Sequence, residues 1–152
     1  MMSGTYGRLS MKLHQIAVFL QNKPGHLSDI CRTLADAGLN IATLSLADTQ
    51  QFGILRLILK DWEQAAKALE KAGFLVQIRE VVATEVEDRP GGMADILDVV
   101  SAAGINVEYM YAFASHHRNK AVLIFRFDDP DRAISALKEA RINVLSNIDI
   151  FG

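Results

Sequence analysis

The sequence has few of the residues that mark several common classes of protein. Its 152 residues include a single cysteine, Cys31, which excludes an internal disulfide framework and fits a reducing compartment. The formal net charge is −2 and no basic run is present, which argues against nucleic acid and anionic membrane surfaces as partners. No apolar run approaches the roughly 18 residues of a membrane-spanning helix. We therefore expect a cytoplasmic protein.

Signatures of catalysis are also missing. The sequence contains no Gly-x-Ser-x-Gly motif, no glycine-rich phosphate loop with lysine and no set of residues at metal-ligand spacing. The adjacent His116 and His117 would point to opposite sides of a strand, and no Cys or carboxylate cluster accompanies them. We expect no enzyme activity, no cofactor and no metal.

The chain consists of two copies of one small module. The stretch from Asn22 to Leu27 ends a strand pattern and opens a helix pattern, and it returns from Asp88 to Met93. The repeat distance is 66 residues, from Pro24 to Pro90. It grows by two later in the chain, which predicts an insertion around His116 to Lys120. We assign a flexible tail to residues 1–10 and modules to residues 11–79 and 80–152.

Hydrophobic periodicity predicts the order strand, helix, strand, strand, helix, strand in each module. The first strand covers Leu13 to Gln21 and the last covers Ile142 to Phe151. We expect Asp61 and Asp129 to cap the second helix of each module, with Gln64 completing a capping box at Asp61. The first helix should bury a stripe formed by Leu27, Ile30, Cys31 and Leu34. This order is that of the ferredoxin-like βαββαβ motif, an α+β fold with antiparallel sheets and helices on one face.

A sheet covered by helices on one face leaves its other face open. That face holds Phe19, the apolar run 54–59 and whichever side of Tyr109, Tyr111 and Phe113 does not meet the helices. Because an open apolar sheet face is usually an interface, we expect a homodimer. The alternative is that the two modules cover each other.

The motifs of both modules resemble the ACT domain, a regulatory module that binds amino acids beside metabolic enzymes. The first carries Asn22-Lys23-Pro24-Gly25-His26-Leu27-Ser28 and Ala37-Gly38-Leu39-Asn40-Ile41, and the second carries Arg89-Pro90-Gly91-Gly92-Met93 and Ala103-Gly104-Ile105-Asn106-Val107. The whole chain is most similar to stand-alone bacterial tandem ACT proteins. The resemblance implies a pocket between paired modules.

The first loop offers the chemistry that a free amino acid needs. Unpaired N–H groups and the helix dipole favour a carboxylate there, and Gly25 permits close approach. In the serine-binding regulatory domain that this loop resembles, two asparagines hold the ligand, and Asn22 and Asn40 match them. That family also has a histidine where this chain has Leu20, which puts serine itself in doubt. The candidate residues are Asn22, Lys23, Pro24, Gly25, His26, Leu27, Asn40 and Ile41.

The second loop differs in one charged position. Asp88 stands in the place of Asn22 and would accept from an ammonium but repel a carboxylate, so the two sites should not be equivalent. The candidates here are Asp88, Arg89, Pro90, Gly91, Gly92, Met93 and Asn106. The alternative readings are that Pro24-Gly25 is only a turn, and that Asn40 and Asn106 are only helix-exit residues.

Two functional hypotheses follow. The first is a non-catalytic sensor that binds a free amino acid at the Pro-Gly loop and acts by favouring one packing of its modules. The second is an interaction protein, a detached regulatory subunit that docks on an amino-acid biosynthetic enzyme with or without a ligand.

Overall fold

The computed structural model describes residues 11–48, 51–113 and 120–152. The predicted tail at residues 1–10 and most of the predicted insertion around His116 lie outside these ranges. The strands are β1 (Leu13–Gln21), β2 (Thr43–Asp48), β3 (Phe52–Ile58), β4 (Leu75–Val86), β5 (Val107–Ala112), β6 (Ala121–Phe127) and β7 (Val144–Leu145). The helices are α1 (His26–Asp36), α2 (Trp62–Lys71), α3 (Gly92–Ala102), α4 (Pro130–Glu139) and α5 (Asn147–Phe151). Within the described ranges, no helix combines the length and the apolar character that crossing a membrane requires.

The chain divides into two compact units that repeat one order of elements. The first unit is His14–Arg79, and the second comprises residues 11–13 and Glu80–Gly152. Strand β4 begins in the first unit and ends in the second. The predicted α+β class with ferredoxin-like modules is confirmed.

In the first unit, antiparallel strands place one apolar face against two helices. Strand β3 pairs with β1 on one side and β2 on the other, and β2 forms the edge. The pairs Ile16–Leu57 and Val18–Leu55 lie in one fully buried core. Helices α1 and α2 complete this core with Ile30, Leu34, Ala65, Ala66 and Leu69. The 3.6-residue spacing of these side chains explains why both segments are helical.

The second unit repeats the same register. Strand β6 pairs with β4 and β5, and Val82 lies opposite Phe125 just as Ile16 lies opposite Leu57. Equivalent positions are 66 residues apart between β1 and β4 but 68 apart between β3 and β6. This larger distance agrees with two extra residues in the turn between β5 and β6. A second core forms from α3, α4 and the sheet.

The end of the chain differs from the prediction. The sequence predicts a strand from Ile142 to Phe151, but β7 contains only Val144–Leu145 and α5 follows. The cause is a capping box: the Ser146 hydroxyl accepts from the Asp149 N–H at 3.3 Å, and the Asp149 carboxylate accepts from the Ser146 N–H at 2.8 Å. The apolar residues after Ser146 resemble a strand in composition, while the cap starts a helix.

Some local predictions are confirmed and others are wrong. The Asp129 side chain caps α4 by accepting from the Arg132 N–H at 3.2 Å, as predicted. Asp61 occupies the N-cap position of α2 without any side-chain capping bond, so its predicted capping box with Gln64 is wrong. Helix α1 buries Ile30 and Leu34 of the predicted stripe, whereas Cys31 is half-buried and Leu27 is 36% exposed.

The sheet face opposite the first core is less open than predicted. Gln15 and Ala17 of β1 alternate with the core residues and are nevertheless buried. Ile58, the last residue of β3, and its cross-strand neighbour Thr43 are buried too. The prediction of an open apolar face, on which the expected homodimer rests, is therefore wrong at these positions. Exposed apolar residues lie instead at the edge strand β2, where Leu44 and Leu46 are about half exposed.

Candidate functional site

The first candidate loop connects β1 to α1. Gly25 is the N-cap of α1 with φ of 91°, a left-handed conformation that glycine adopts without strain. Two contacts hold the loop in place: the Asn22 N–H donates to the Gln51 carbonyl at 3.1 Å, and the Gln21 N–H donates to His26 Nδ1 at 3.2 Å. The histidine predicted as a loop residue therefore ties the end of β1 to the start of α1.

Several backbone donors at the start of α1 are open. Within the described ranges, the N–H groups of Gly25, Leu27 and Ser28 donate no hydrogen bond to a protein acceptor. The His26 N–H makes a long contact of 3.5 Å with the Lys23 carbonyl. Because the first N–H groups of a helix have no intrahelical partners, this end of α1 presents several donors to an incoming anion.

A cavity of about 430 Å³ lies beside this loop. Its lining is mostly large and apolar, and we call it the apolar cavity. It is formed by Phe19, Leu20, Gln21, His26, Phe52, Gly73, Phe74 and Leu75. Among the residues predicted for the first site, His26 lines it.

The remaining predicted residues of the first site are solvent-accessible and do not line that cavity. Asn22, Lys23, Pro24 and Gly25 are exposed on the loop. Asn40 is exposed and Ile41 half-buried between α1 and β2, after a helix exit in which the Leu39 N–H donates to the Leu34 carbonyl at 2.9 Å. The structure thus brings loop and cavity together through His26 and leaves Asn40 on a separate segment.

The second candidate loop is closed by an arginine. The Arg89 guanidinium donates to the Glu87 carboxylate at 2.6 Å, to the Asp95 carboxylate at 2.7 Å and to the Pro90 carbonyl at 3.1 Å. The equivalent residues of the first unit are Lys23, Gln21 and Asp29 by the 66-residue offset. The Arg89 guanidinium therefore lies beside the N-terminus of α3.

The other predicted residues of the second site are arranged as follows. Gly91 has φ of 86° and caps α3, Gly92 is buried, Met93 is half-buried, and Asp88 and Pro90 are exposed. The backbone of Asn106 is already paired: its N–H donates to the Asp128 carboxylate and its carbonyl accepts from the Asp128 N–H, both at 3.1 Å. These contacts favour a structural role for that segment.

A smaller cavity of about 150 Å³ adjoins the second loop. Charged side chains dominate its lining, and we call it the charged cavity. It is formed by Glu85, Val86, Glu87, Arg89, Gly92, Asp95, Ile96, Lys120, Arg141, Ile142 and Asn143. Glu85 is buried, and the Asn143 side-chain amide donates to its carboxylate. Within the described ranges, no cluster of three His, Cys, Asp or Glu residues suits a metal ion.

The ion pair of Arg89 predicts a measurable titration. The hydrogen bond and charge of Arg89 hold the pKa of Glu87 below its ordinary value of 4.5. Because the pKa is lowered by folding, the pair contributes to stability above pH 4.5 and loses its contribution as the pH falls through the folded-state pKa. In Arg89→Gln, the Glu87 pKa should rise towards its ordinary value, as measured by NMR titration of the carboxyl carbon. Arg79→Gln is the control and should leave it unchanged; an unmoved Glu87 pKa in Arg89→Gln would contradict the assignment.

Apart from His26 in the apolar cavity and Arg89 and Gly92 in the charged cavity, the residues that line the two cavities are not predicted as site residues from the sequence. The apolar cavity combines the end of β1 with the starts of β3 and β4. The charged cavity combines the end of β4 with the residues at the starts of β6 and β7. These segments are distant in sequence. The available signal was the pair of repeat offsets, which aligns these positions between modules. Large apolar residues directly after Gly73 were a second signal.

Comparisons with known proteins agree with this architecture. A family model described as an ACT domain pair matches residues 11–151. The solved structure of protein BT0572 from Bacteroides thetaiotaomicron shares 37% sequence identity with a TM-score of 0.86, covering 93% of this chain and 96% of that one. The ligand-free regulatory subunit of aspartate kinase from Thermus thermophilus shares 18% identity with a TM-score of 0.63, covering 88% of this chain and 95% of that one. No curated protein matches the chain.

The structure contains two repeats of one βαββαβ order, each with a glycine-capped helix after its first strand, and the matched family model is described as a domain pair. The match covers nearly all of the described residues, and the identity to the Bacteroides protein extends over most of both chains. The chain is therefore a member of the ACT domain pair family.

Proposed function

We propose that the chain is a non-catalytic cytoplasmic regulatory protein that binds one free amino acid at the loop from Asn22 to Leu27. The observation that carries this proposal is the set of open N–H groups at Gly25, Leu27 and Ser28. A carboxylate placed there would gain charge-assisted hydrogen bonds and a favourable interaction with the dipole of α1. The side-chain amide oxygens of Asn22 and Asn40 are the acceptors that we assign to the ammonium group.

The contrast between the two loops supports placing the ligand at the first. At the second loop, Arg89 is already paired with the carboxylates of Glu87 and Asp95. At the first loop, Lys23 and Gln21 form no such bridge among the described contacts. An incoming zwitterion meets no ion pair among the described contacts of the first loop, whereas at the second loop it meets an internally compensated ion cluster.

Regulation requires that the ligand prefer one of two states of the protein. We propose that the protein forms a homodimer, with edge strand β2 in the contact, because Leu44 and Leu46 are exposed there. A ligand that touches both copies would then shift the packing between them. Light scattering with and without ligand measures the assembly directly.

A second candidate function is that of a detached regulatory subunit. The Thermus thermophilus protein, matched over 95% of its length, is described as the regulatory subunit of aspartate kinase. By analogy, this chain would dock on an amino-acid biosynthetic enzyme. Recovery of one stoichiometric enzyme on the immobilised chain would favour this candidate.

Isothermal titration with each of the standard amino acids tests the sensor. A ligand of about eight heavy atoms at roughly −1 kcal/mol per atom gives about −8 kcal/mol, or a Kd near micromolar. Asn22→Ala and Asn40→Ala should each weaken binding by about 10- to 150-fold, since each removes a hydrogen bond of about 1.5–3 kcal/mol to a charged group.

Asn106→Ala is the matched control for this experiment. It stands where Asn40 stands in the first module, and its side chain is absent from the proposed site, so affinity should stay within about twofold. The absence of binding heat from every standard amino acid would overturn the proposed function.

A further inference from the structure

The apolar cavity lies beside the loop proposed to hold the charged groups of the ligand. Gln21 and His26 line the cavity and also join the two ends of the loop through their 3.2 Å hydrogen bond. The open amides of Gly25 and Leu27 flank His26 in the chain. Because neighbouring Cα atoms are about 3.8 Å apart, an amino acid bound to these amides would have its side chain close to the cavity wall.

The wall of this cavity is suited to an apolar group. Five of its residues carry large apolar side chains, namely Phe19, Leu20, Phe52, Phe74 and Leu75, and its described lining includes no Asp, Glu, Lys or Arg. Phe52 is 54% exposed and Leu75 is 64% exposed. An apolar ligand group would remove this exposed apolar surface from water, which is favourable, whereas a charged group would lose hydration without a partner.

The size of the cavity fits a large side chain. At about 430 Å³, it is within the range of about 300–1,000 Å³ that is typical of small-molecule sites. An engineered apolar cavity of about 150 Å³ already accepts benzene. A phenyl, indole or branched aliphatic group therefore has room, while a methyl or hydroxymethyl group would leave most of the wall in contact with water.

The charged cavity occupies the equivalent place in the second unit but has the opposite chemistry. The strand register aligns Phe19 with Glu85 and Phe52 with Lys120, and the same offsets align Gly73 with Arg141. The volume falls to about 150 Å³. A large apolar side chain there would have to desolvate several charges without pairing them. The charged cavity of the second unit therefore disfavours the large apolar side chain that suits the apolar cavity of the first unit.

We propose that the first unit selects an amino acid with a large apolar side chain, aromatic or branched aliphatic, by taking that side chain into the apolar cavity. This inference rests on the proposed function, because the loop must hold the charged groups. It adds a ligand class and a stoichiometry of one such ligand per chain.

Calorimetry of the full chain with L-phenylalanine, L-leucine, L-alanine and L-serine tests the inference. Phenylalanine or leucine should bind at least tenfold more tightly than alanine and serine, with one site per chain, since each buried methylene is worth about tenfold. Phe52→Lys and Leu75→Asn introduce the residues of the second unit at exposed positions. Each should weaken phenylalanine or leucine binding at least tenfold and change alanine binding less than twofold.

Lys120→Gln in the charged cavity is the matched control and should leave every affinity unchanged. Circular dichroism establishes that each variant is folded. Because Phe52→Lys and Leu75→Asn are independent, the test remains decisive if one of them does not fold. Preferred binding of serine or alanine that Phe52→Lys does not affect would overturn this inference and leave the proposed function standing. Two phenylalanine sites per chain would also overturn it. Silence from all standard amino acids would overturn both.

Discussion

Phe125→Ala is expected to lower the free energy of unfolding by about 3–5 kcal/mol. Phe125 is 0% exposed and lies in the middle strand pair of the second core, opposite Val82. Its ring stacks on Phe127 with centroids 5.1 Å apart and planes 6° apart. Truncation removes apolar contacts and leaves a cavity that close-packed neighbours cannot fill. Urea unfolding monitored by far-UV circular dichroism measures the loss.

The same truncation at an exposed position is the control. Phe52 is 54% exposed, so Phe52→Ala should cost about 1 kcal/mol or less. A loss below about 1 kcal/mol in Phe125→Ala would contradict the expectation, because it would require the second core to collapse around the missing ring. Leu57→Ala, at the equivalent position of the first unit, should lose about 2–5 kcal/mol.

Gly92→Ala is expected to destabilise the protein by about 1–3 kcal/mol, although alanine suits helices better than glycine. A Cβ at Gly92 would collide with the Glu87 carbonyl oxygen and lie 3.3 Å from Val86 Cγ2. The loop from Glu87 to Gly91 would therefore have to move, and with it the ion pair of Arg89. Thermal and urea unfolding give the change in stability, and the Glu87 titration reports the movement of the loop.

Gly53→Ala is the control for this glycine. It introduces the residue that stands at the equivalent position of the second unit, Ala121, and its Cβ would meet only side-chain atoms at 3.4 Å. The change should stay within about 0.5 kcal/mol. A neutral Gly92→Ala would mean that the loop moves freely, which its hydrogen bonds do not suggest.

Much of the fold could be predicted because each element carries its own local signal. The strand predicted from Leu13 to Gln21 has the same bounds as β1, and Asp129 caps α4 as its position before a proline indicates. The last segment failed because composition and capping disagreed. Ile148, Ile150 and Phe151 suggest a strand, but the Ser146–Asp149 capping box starts a helix there.

Less of the candidate site could be predicted, for a physical reason. A loop motif is contiguous, so Pro24-Gly25 marks itself in the sequence. A cavity wall is assembled by strand register, and Phe19, Phe52 and Phe74 meet only after the sheet has formed. The bridge from Arg89 to Asp95 spans a loop and a helix turn, which simple periodicity does not reveal. The assignment of ligand contacts to Asn22 and Asn40 stays a prediction.

The two units also differ in backbone strain at one equivalent position, just after the second helix of each unit. Gly73 follows α2 with φ of 94°, whereas Arg141 follows α4 with φ of 62° and is the one positive-φ residue other than glycine in the described ranges. A residue with a side chain pays about 1 kcal/mol for that backbone shape, and glycine does not. The second unit therefore keeps a guanidinium at the rim of its charged cavity only by holding a helix end under strain.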